Sequence, residues 1–270
     1  MTSSQPIKLA VHGAAGRMGR RVVALATADE AFQVIAAIDH QQHPLLGQDS
    51  GGLAGCDLNE VPLSADWPAE CDAAIDFSLP DAVGSAVANC LESKTPLVIA
   101  TTGLSDETQA AIAEAVKQIP IVWAPSMSLA VNLSMKLAEQ AAAALKNVPG
   151  GVDIEIIERH HRYKVDAPSG TALKFGELIA GQLDGETKHV HGREGETGQR
   201  SLNEIGYHAV RVGDNTGEHT IVYGMLGETM ELRVASSNRD CYASGALAAA
   251  RWIQGRPPAL YSMFDVLGLS

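Results

Sequence analysis

Apolar residues in the first half of the chain fall in short unbroken blocks, separated by glycine turns and by stretches with a helical period. Blocks this short and this rich in Val, Ile and Ala predict strands buried on both faces. They lie at residues 7–12, 32–38, 73–77, 97–100 and 121–124. Between them, the pattern Val22, Val23, Leu25, Ala26 and the segments 81–91, 106–118 and 128–146 predict helices. Strand alternating with helix predicts an α/β fold, a Rossmann-like doubly wound parallel sheet covered on both faces. Residues 43–59 are glycine-rich and aperiodic, and predict a loop able to move.

After Val148-Pro149-Gly150-Gly151 the period shortens to two. Alternation over 152–157, 205–212, 219–223 and 229–234 predicts strands with little helix among the last three, and Asp214-Asn215-Thr216-Gly217 reads as a hairpin turn. The expectation is a second, α+β domain with a mostly antiparallel or mixed open sheet. A closing helix at 241–254 ends before Arg256-Pro257-Pro258, and the apolar tail at 260–269 is expected to return to the first domain. The boundaries that follow are 1–130, 131–240 and 241–270.

Composition narrows the class. At 46% apolar and 19% charged residues, the chain has ordinary globular content. Its apolar runs are broken well short of the roughly 20 residues a membrane span needs. Residues 1–5 are polar, and the apolar run after them leads into Arg17, Arg20 and Arg21, unlike a secretory signal. A cytoplasmic protein with no membrane partner is expected. The 4 cysteines show no CxxC spacing, which suggests neither a zinc site nor a disulfide framework. With 20 basic and 32 acidic residues the formal charge is -12, which argues against nucleic-acid partners. An anionic substrate remains compatible, because basic residues gather between Arg159 and Lys164.

Two places carry candidate chemistry. In the first, Gly13, Ala14, Ala15, Gly16, Arg17, Met18 and Gly19 join the first strand to the first helix, a context in which backbone N–H groups can hold a diphosphate. The spacing is GxxGxxG, and it equally suits a tight turn with close helix packing. Asp39 ends the second strand 20 residues after Gly19, where a carboxylate can accept from an adenosine ribose; it also suits a strand-ending turn. His40 stands where a guanidinium would grip a 2'-phosphate, so NADH is expected to serve at least as readily as NADPH. The strand ends Ala100-Thr101-Thr102-Gly103 and Ala124-Pro125-Ser126-Met127 lie where ligands sit in such sheets.

The second place is Glu158-Arg159-His160-His161-Arg162-Tyr163-Lys164-Val165-Asp166-Ala167-Pro168-Ser169-Gly170-Thr171-Ala172. It reads as a strand ending just before the two histidines, a loop and a helix N-terminus. Lys164 and the histidines can move a proton; the N–H groups opening the helix can hold a carboxylate. Asp166 can orient a neighbour or cap the helix. His160 and His161 can share one site only if the strand has ended, because successive strand side chains point to opposite faces. A solvated charged loop is the plainer alternative. A metal site is not expected: His189, His191, His208 and His219 show no metal-binding spacing. A serine nucleophile lacks its GxSxG context.

This run closely resembles the dihydrodipicolinate (4-hydroxy-tetrahydrodipicolinate) reductase signature, E-x-H-H-x-x-K-x-D-A-P-S-G-T-A. Gly13 to Gly19 resembles that family's cofactor turn, Asp39 its ribose-binding acid, Ala100 to Gly103 its GTTG segment and Arg193-Glu194-Gly195 its REG segment. Arg211, Gly213, Asp214, Gly217, Glu218 and His219 resemble its R-x-G-D-x-x-G-E-H strand pair. The likeness spans essentially the whole chain. It departs at Ala100, in place of a glycine, and at Ala124-Pro125-Ser126-Met127, in place of A-x-N-[FM], where Pro125 offers no N–H.

The resemblance implies a reductase of the diaminopimelate and lysine pathway that uses NADH or NADPH on a small dicarboxylate, in a homotetramer. It implies His160 as acid/base group, Lys164 as proton donor, and His161, Gly170 and Thr171 as substrate contacts. Gly13 to Met18, Asp39, Ala100, Thr101, Thr102 and Ala124 to Met127 become cofactor contacts. Residues 1–130 become the dinucleotide-binding domain and 131–240 the substrate-binding and oligomerisation domain. Two rivals are a non-catalytic dinucleotide sensor and a reductase of another small carboxylate.

Overall fold

The computed structural model describes residues 5–269; most of the polar N-terminus lies outside the described residues. In chain order the elements are β1 (Ile7–His12), α1 (Arg17–Ala28), β2 (Phe32–Ile38), α2 (Ser50–Ala54), β3 (Leu63–Ser64), β4 (Ala73–Asp76), α3 (Val83–Ser93), β5 (Leu97–Ile99), α4 (Asp106–Ala115), β6 (Ile121–Trp123), α5 (Leu129–Leu145), β7 (Asp153–His160), α6 (Gly170–Ala180), β8 (Lys188–His191), β9 (Glu204–Arg211), β10 (Glu218–Met225), β11 (Glu228–Ala235), α7 (Asp240–Trp252), β12 (Leu260–Tyr261) and α8 (Met263–Leu267). They form two compact units. One comprises the described residues up to Leu129 and those from Arg239 onward; the other is Ala130–Asn238.

The first unit holds a seven-stranded sheet in the order β3-β2-β1-β4-β5-β6-β12, with every pair parallel. Alternate residues of each strand feed different layers, as a period of two requires. Leu9, Val11, Ile75, Val98 and Val122 pack with Val22, Val23, Ala246 and Ala250 of α1 and α7. Their neighbours Ala10, Ala74, Leu97, Ile99 and Ile121 pack with Val83, Val87 and Ile112 of α3 and α4. Burying each of the larger side chains contributes roughly 1.5–3 kcal/mol against leaving it exposed, which is why these strands carry no polar face. At Gly245 a Cβ would lie 1.7 Å from the Met127 carbonyl oxygen, so the missing side chain sets how near α7 comes to that backbone.

Residues 43–59 depart from expectation. They are not an open loop, because Asp49 caps α2, its Oδ1 accepting from Gly52 N at 2.8 Å, while its Oδ2 accepts from Glu60 N at 2.8 Å.

The second unit holds a mixed sheet in the order β11-β10-β7-β9-β8. β7 is antiparallel to β10 and parallel to β9. The hairpin expected at Asp214–Gly217 is therefore absent: that segment passes from β9 to β10 with β7 lying between them. The hairpin joins β10 to β11 instead, where Met225 pairs with Glu228 across Leu226 and Gly227. In β7, Ile154, Ile156, Glu158 and His160 are buried, whereas Asp153, Glu155 and Ile157 are half-buried. On β10, Tyr223 is fully buried and donates to the Ala138 carbonyl of α5 at 2.6 Å, so α5 covers the buried face.

Candidate active site

In the first unit the sheet order turns at β1 and β4, the point where such sheets bind ligands beyond the strand ends. Gly13 leaves β1 with φ 75°, and a Cβ there would lie 2.6 Å from the Phe77 carbonyl oxygen. Gly19 has no room either, since its Cβ would meet Gly13 O at 2.1 Å. These glycines bring strand, turn and helix together. Within the turn, Gly13 N and Ala14 N donate to Ile38 O at 2.8 and 3.0 Å, and Gly16 N to Gly13 O at 3.0 Å. Ala15 N donates to Asp39 Oδ2 at 3.0 Å. α1 has no side-chain cap, which leaves the N–H groups of Arg17 and Met18 free for an anion. Gly13, Gly16, Arg17, Met18 and Asp39 line a cavity of about 640 Å³. An uncapped helix start facing such a cavity beside a strand-end carboxylate fits a dinucleotide.

The other expected cofactor residues divide. Ala124 and Met127 are buried in the core. Ala100 N donates to Asp76 O at 3.0 Å, and Thr101 Oγ1 donates to Asp76 Oδ2 at 2.5 Å, so both donors turn inward. Thr102 is exposed. Sequence reasoning missed His12, Trp67 and Ser78, which also line the cavity. His12 and Ser78 could have been found from their positions at or just beyond strand ends; Trp67 offered no such signal.

In the second unit, β7 continues through His160, so the strand does not end before both histidines. The period of two places Glu158 and His160 on the same, buried face. His160 Nδ1 meets Glu158 Oε2 at 2.5 Å. Arg211, on the neighbouring β9, donates to both Glu158 oxygens at 2.8 Å, and Ser169 N donates to Oε1 at 3.1 Å. Glu158 is 1% exposed. Burial alone would raise its pKa, but Arg211 and His160 hold it below the usual carboxylate value. For His160, burial is the largest cause of a lowered pKa; Glu158 opposes it, and Lys164 and Arg211 add to the depression. The imidazole is therefore neutral at pH 7. With Nδ1 committed to a carboxylate, Nε2 is the proton-accepting atom.

His219 stands beside it, ring centroids 5.2 Å apart, with Nε2 3.1 Å from Ser169 Oγ. Burial, reinforced by His160, pushes its pKa down to about 4. Ser169, not Asp166, caps α6, its Oγ accepting from Ala172 N at 3.2 Å. Asp166 instead pairs with Lys164 at 2.7 Å, which holds the ammonium in place and lowers the aspartate pKa. Because Ser169 N serves Glu158, the open N–H groups at the start of α6 belong to Gly170 and Thr171. His161, the residue after β7, has a buried Nδ1 with no protein partner. The other histidines weighed as metal ligands are engaged elsewhere: His189 with Tyr207 at 2.7 Å, His208 with Glu155 at 2.8 Å, and His191 stacked on Tyr207. Asp39, His40 and His43 have ligand atoms within 4.8 Å of one another, a grouping the sequence reading did not single out.

Among known proteins, the family model described as dihydrodipicolinate reductase, N-terminus, matches residues 7–127, and the one described as dihydrodipicolinate reductase, C-terminus, matches residues 130–267. A protein of Rhodopirellula baltica named 4-hydroxy-tetrahydrodipicolinate reductase is 66% identical over 99% of this chain and 98% of its own. Its namesake from Alkalilimnicola ehrlichii is 46% identical over 97% and 99%. The solved structure of dipicolinate-bound dihydrodipicolinate reductase from Paenisporosarcina sp. TG-14 is 27% identical, with a TM-score of 0.75 over 96% of this chain and 98% of that one. Matches of this extent, reaching both units, establish that the chain belongs to the dihydrodipicolinate reductase family.

Proposed function

We propose that the protein reduces 4-hydroxy-tetrahydrodipicolinate, by way of dihydrodipicolinate, to tetrahydrodipicolinate in the diaminopimelate route to lysine, in the cytoplasm. The observation that carries this is the Glu158–His160–Arg211–Ser169 assembly beside the open N-terminus of α6 and Lys164. A dicarboxylate needs N–H donors and cations, and a reduced double bond needs a proton; this segment supplies both. The nicotinamide cofactor supplies a hydride when bound. The N–H groups of Arg17 and Met18 receive its diphosphate, and Asp39 accepts from a ribose hydroxyl. Gly170 and Thr171 N–H groups hold a substrate carboxylate, with His161 assisting through its unpartnered nitrogen. Lys164 would deliver the proton that a hydride added at one end of a conjugated C=C–C=N system requires at the other. Neutral His160 accepts a proton at Nε2 and returns it, Glu158 fixing which nitrogen is free.

Asp39 in the ribose position, with His40 beside it in place of a guanidinium, supports NADH serving at least as well as NADPH. A homotetramer built on the second unit accords with the resemblance and with the half-buried Ile157 and Val222, which lie on the sheet face opposite α5. The test couples purified dihydrodipicolinate synthase, pyruvate and aspartate semialdehyde to this protein and follows absorbance of NADH or NADPH. Cofactor oxidation that depends on the synthase supports the assignment; none with either cofactor refutes it. A strong preference for NADPH would refute the role given to Asp39 and His40.

A further inference from the structure

β1 ends on His12 and β4 on Asp76, and the two residues are register partners on adjacent strands. Asp76 is fully buried. Its Oδ1 lies 2.7 Å from His12 Nδ1 and accepts from Ser78 Oγ at 2.6 Å, while Oδ2 accepts from Thr101 Oγ1 at 2.5 Å. A carboxylate only accepts, so in the neutral imidazole the hydrogen sits on Nδ1 and Nε2 carries a bare lone pair. Nε2 has no hydrogen-bond partner among the described residues. His12 is 7% exposed and lines the cavity beside Gly13, Arg17 and Asp39, its ring centroid 5.2 Å from that of Trp67. A side chain this buried, with an unused acceptor on a ligand-sized cavity, is equipped to read a donor.

We infer that His12 is a cofactor-contacting residue whose Nε2 accepts a hydrogen bond from a hydroxyl or amide N–H of the dinucleotide, with Asp76 as the positioning residue that selects the tautomer. The inference rests on the dinucleotide reading of this cavity. The same carboxylate holds Thr101 and Ser78, so one buried group ties three polar side chains of the strand-end region to a fixed arrangement.

Binding is measured first on the wild-type protein, by nicotinamide fluorescence for NADH and NADPH and by calorimetry for ADP-ribose. If none of the three binds, the dinucleotide reading itself fails. Given binding, His12→Phe keeps a ring against Trp67 but offers no lone pair, and is expected to weaken NADH about five- to tenfold, the worth of one hydrogen bond. ADP-ribose keeps the ribose hydroxyls and lacks the carboxamide: a loss shared by both ligands assigns the donor to a hydroxyl, and a loss confined to NADH assigns it to the carboxamide. Independently, long-range 1H–15N spectra of the wild-type protein should show His12 as the Nδ1–H tautomer, with its Nε2 resonance moving when NADH saturates the site. Asp76→Asn should release that tautomer. Unchanged affinity of His12→Phe for both ligands overturns the inference, as does an Nε2 resonance that stays fixed at saturation. Should His12→Phe not fold, the wild-type resonance decides.

Discussion

His219 should make the protein's stability depend on pH in a way that one substitution removes. Its ring is 4% exposed, and burial, then the neighbouring His160, lower its pKa from 6.5 to about 4. In the unfolded chain it titrates near its ordinary value. As pH falls below that value the unfolded state takes up a proton that the folded state refuses until about pH 4. The stability contributed by keeping His219 neutral is thus fully present above pH 6.5 and is lost as pH falls through the folded pKa. The whole span is on the order of 3 kcal/mol, and about 2 kcal/mol of it falls between pH 7.5 and pH 5. His219→Gln keeps a polar group for Ser169 Oγ and cannot titrate. Urea unfolding of both proteins, at one fixed chain concentration because assembly would add its own stability, gives the comparison. From pH 7.5 to 5 the wild type should lose about 2 kcal/mol more than the variant. Groups that do not interact with His219 cancel in the difference. Parallel pH profiles would refute the argument, since they would mean that His219 binds its proton equally well folded and unfolded.

Other substitutions probe other links. Lys164→Ala should lower kcat by orders of magnitude while leaving cofactor affinity nearly intact; steady-state kinetics with near-normal turnover would remove Lys164 as proton donor. Glu158→Gln leaves the Arg211 guanidinium facing an uncharged amide in a buried site, and should cost about 3 kcal/mol in urea unfolding together with most of the activity. A loss below about 1 kcal/mol would show that Glu158 is solvated enough to be dispensable. Gly19→Ala sets two effects against each other: helix propensity would gain about 1 kcal/mol, but the new Cβ would lie 2.1 Å from Gly13 O. Packing should win and the melting temperature fall; a rise would show that the turn yields.

The parallel sheet was legible because its strands are buried on both faces, so each is a run of apolar residues that stops at a glycine, proline or polar residue. β3 and β12, with two residues each, and the five-residue α2 are too short to show any period. Asp214–Gly217 has the composition of a hairpin turn, but turn chemistry is local, whereas the choice of β7 as the common neighbour of β9 and β10 is made by long-range pairing. The end of β7 escapes the pattern for a different reason. Hydrophobic alternation stops at Ile157, yet the buried face continues through Glu158 and His160, polar residues whose burial is stabilised by Arg211 and Ser169. Periodicity cannot register an inward position filled by a charge.

That failure of the pattern marks the chemistry. Polar side chains occupy inward positions at a strand end only where partners from other segments satisfy them. In β7 the partners are Arg211, 53 residues away, and Ser169, 11 residues away; at the end of β4 they are His12, 64 residues away, and Thr101, 25 residues away. Both cases pair a buried carboxylate with an imidazole through Nδ1 and leave Nε2 as the free nitrogen. They differ in charge. Glu158 meets a guanidinium, and the ion pair keeps its charge in a buried site beside a neutral histidine suited to proton transfer. Asp76 meets two hydroxyls and an imidazole, a set that fixes geometry without a second formal charge when the ring is neutral. Such a set suits the recognition of a ligand. The signature run could be read from the sequence because its residues are contiguous. The His12–Asp76 pair could not, because the fold is what brings its two strands together.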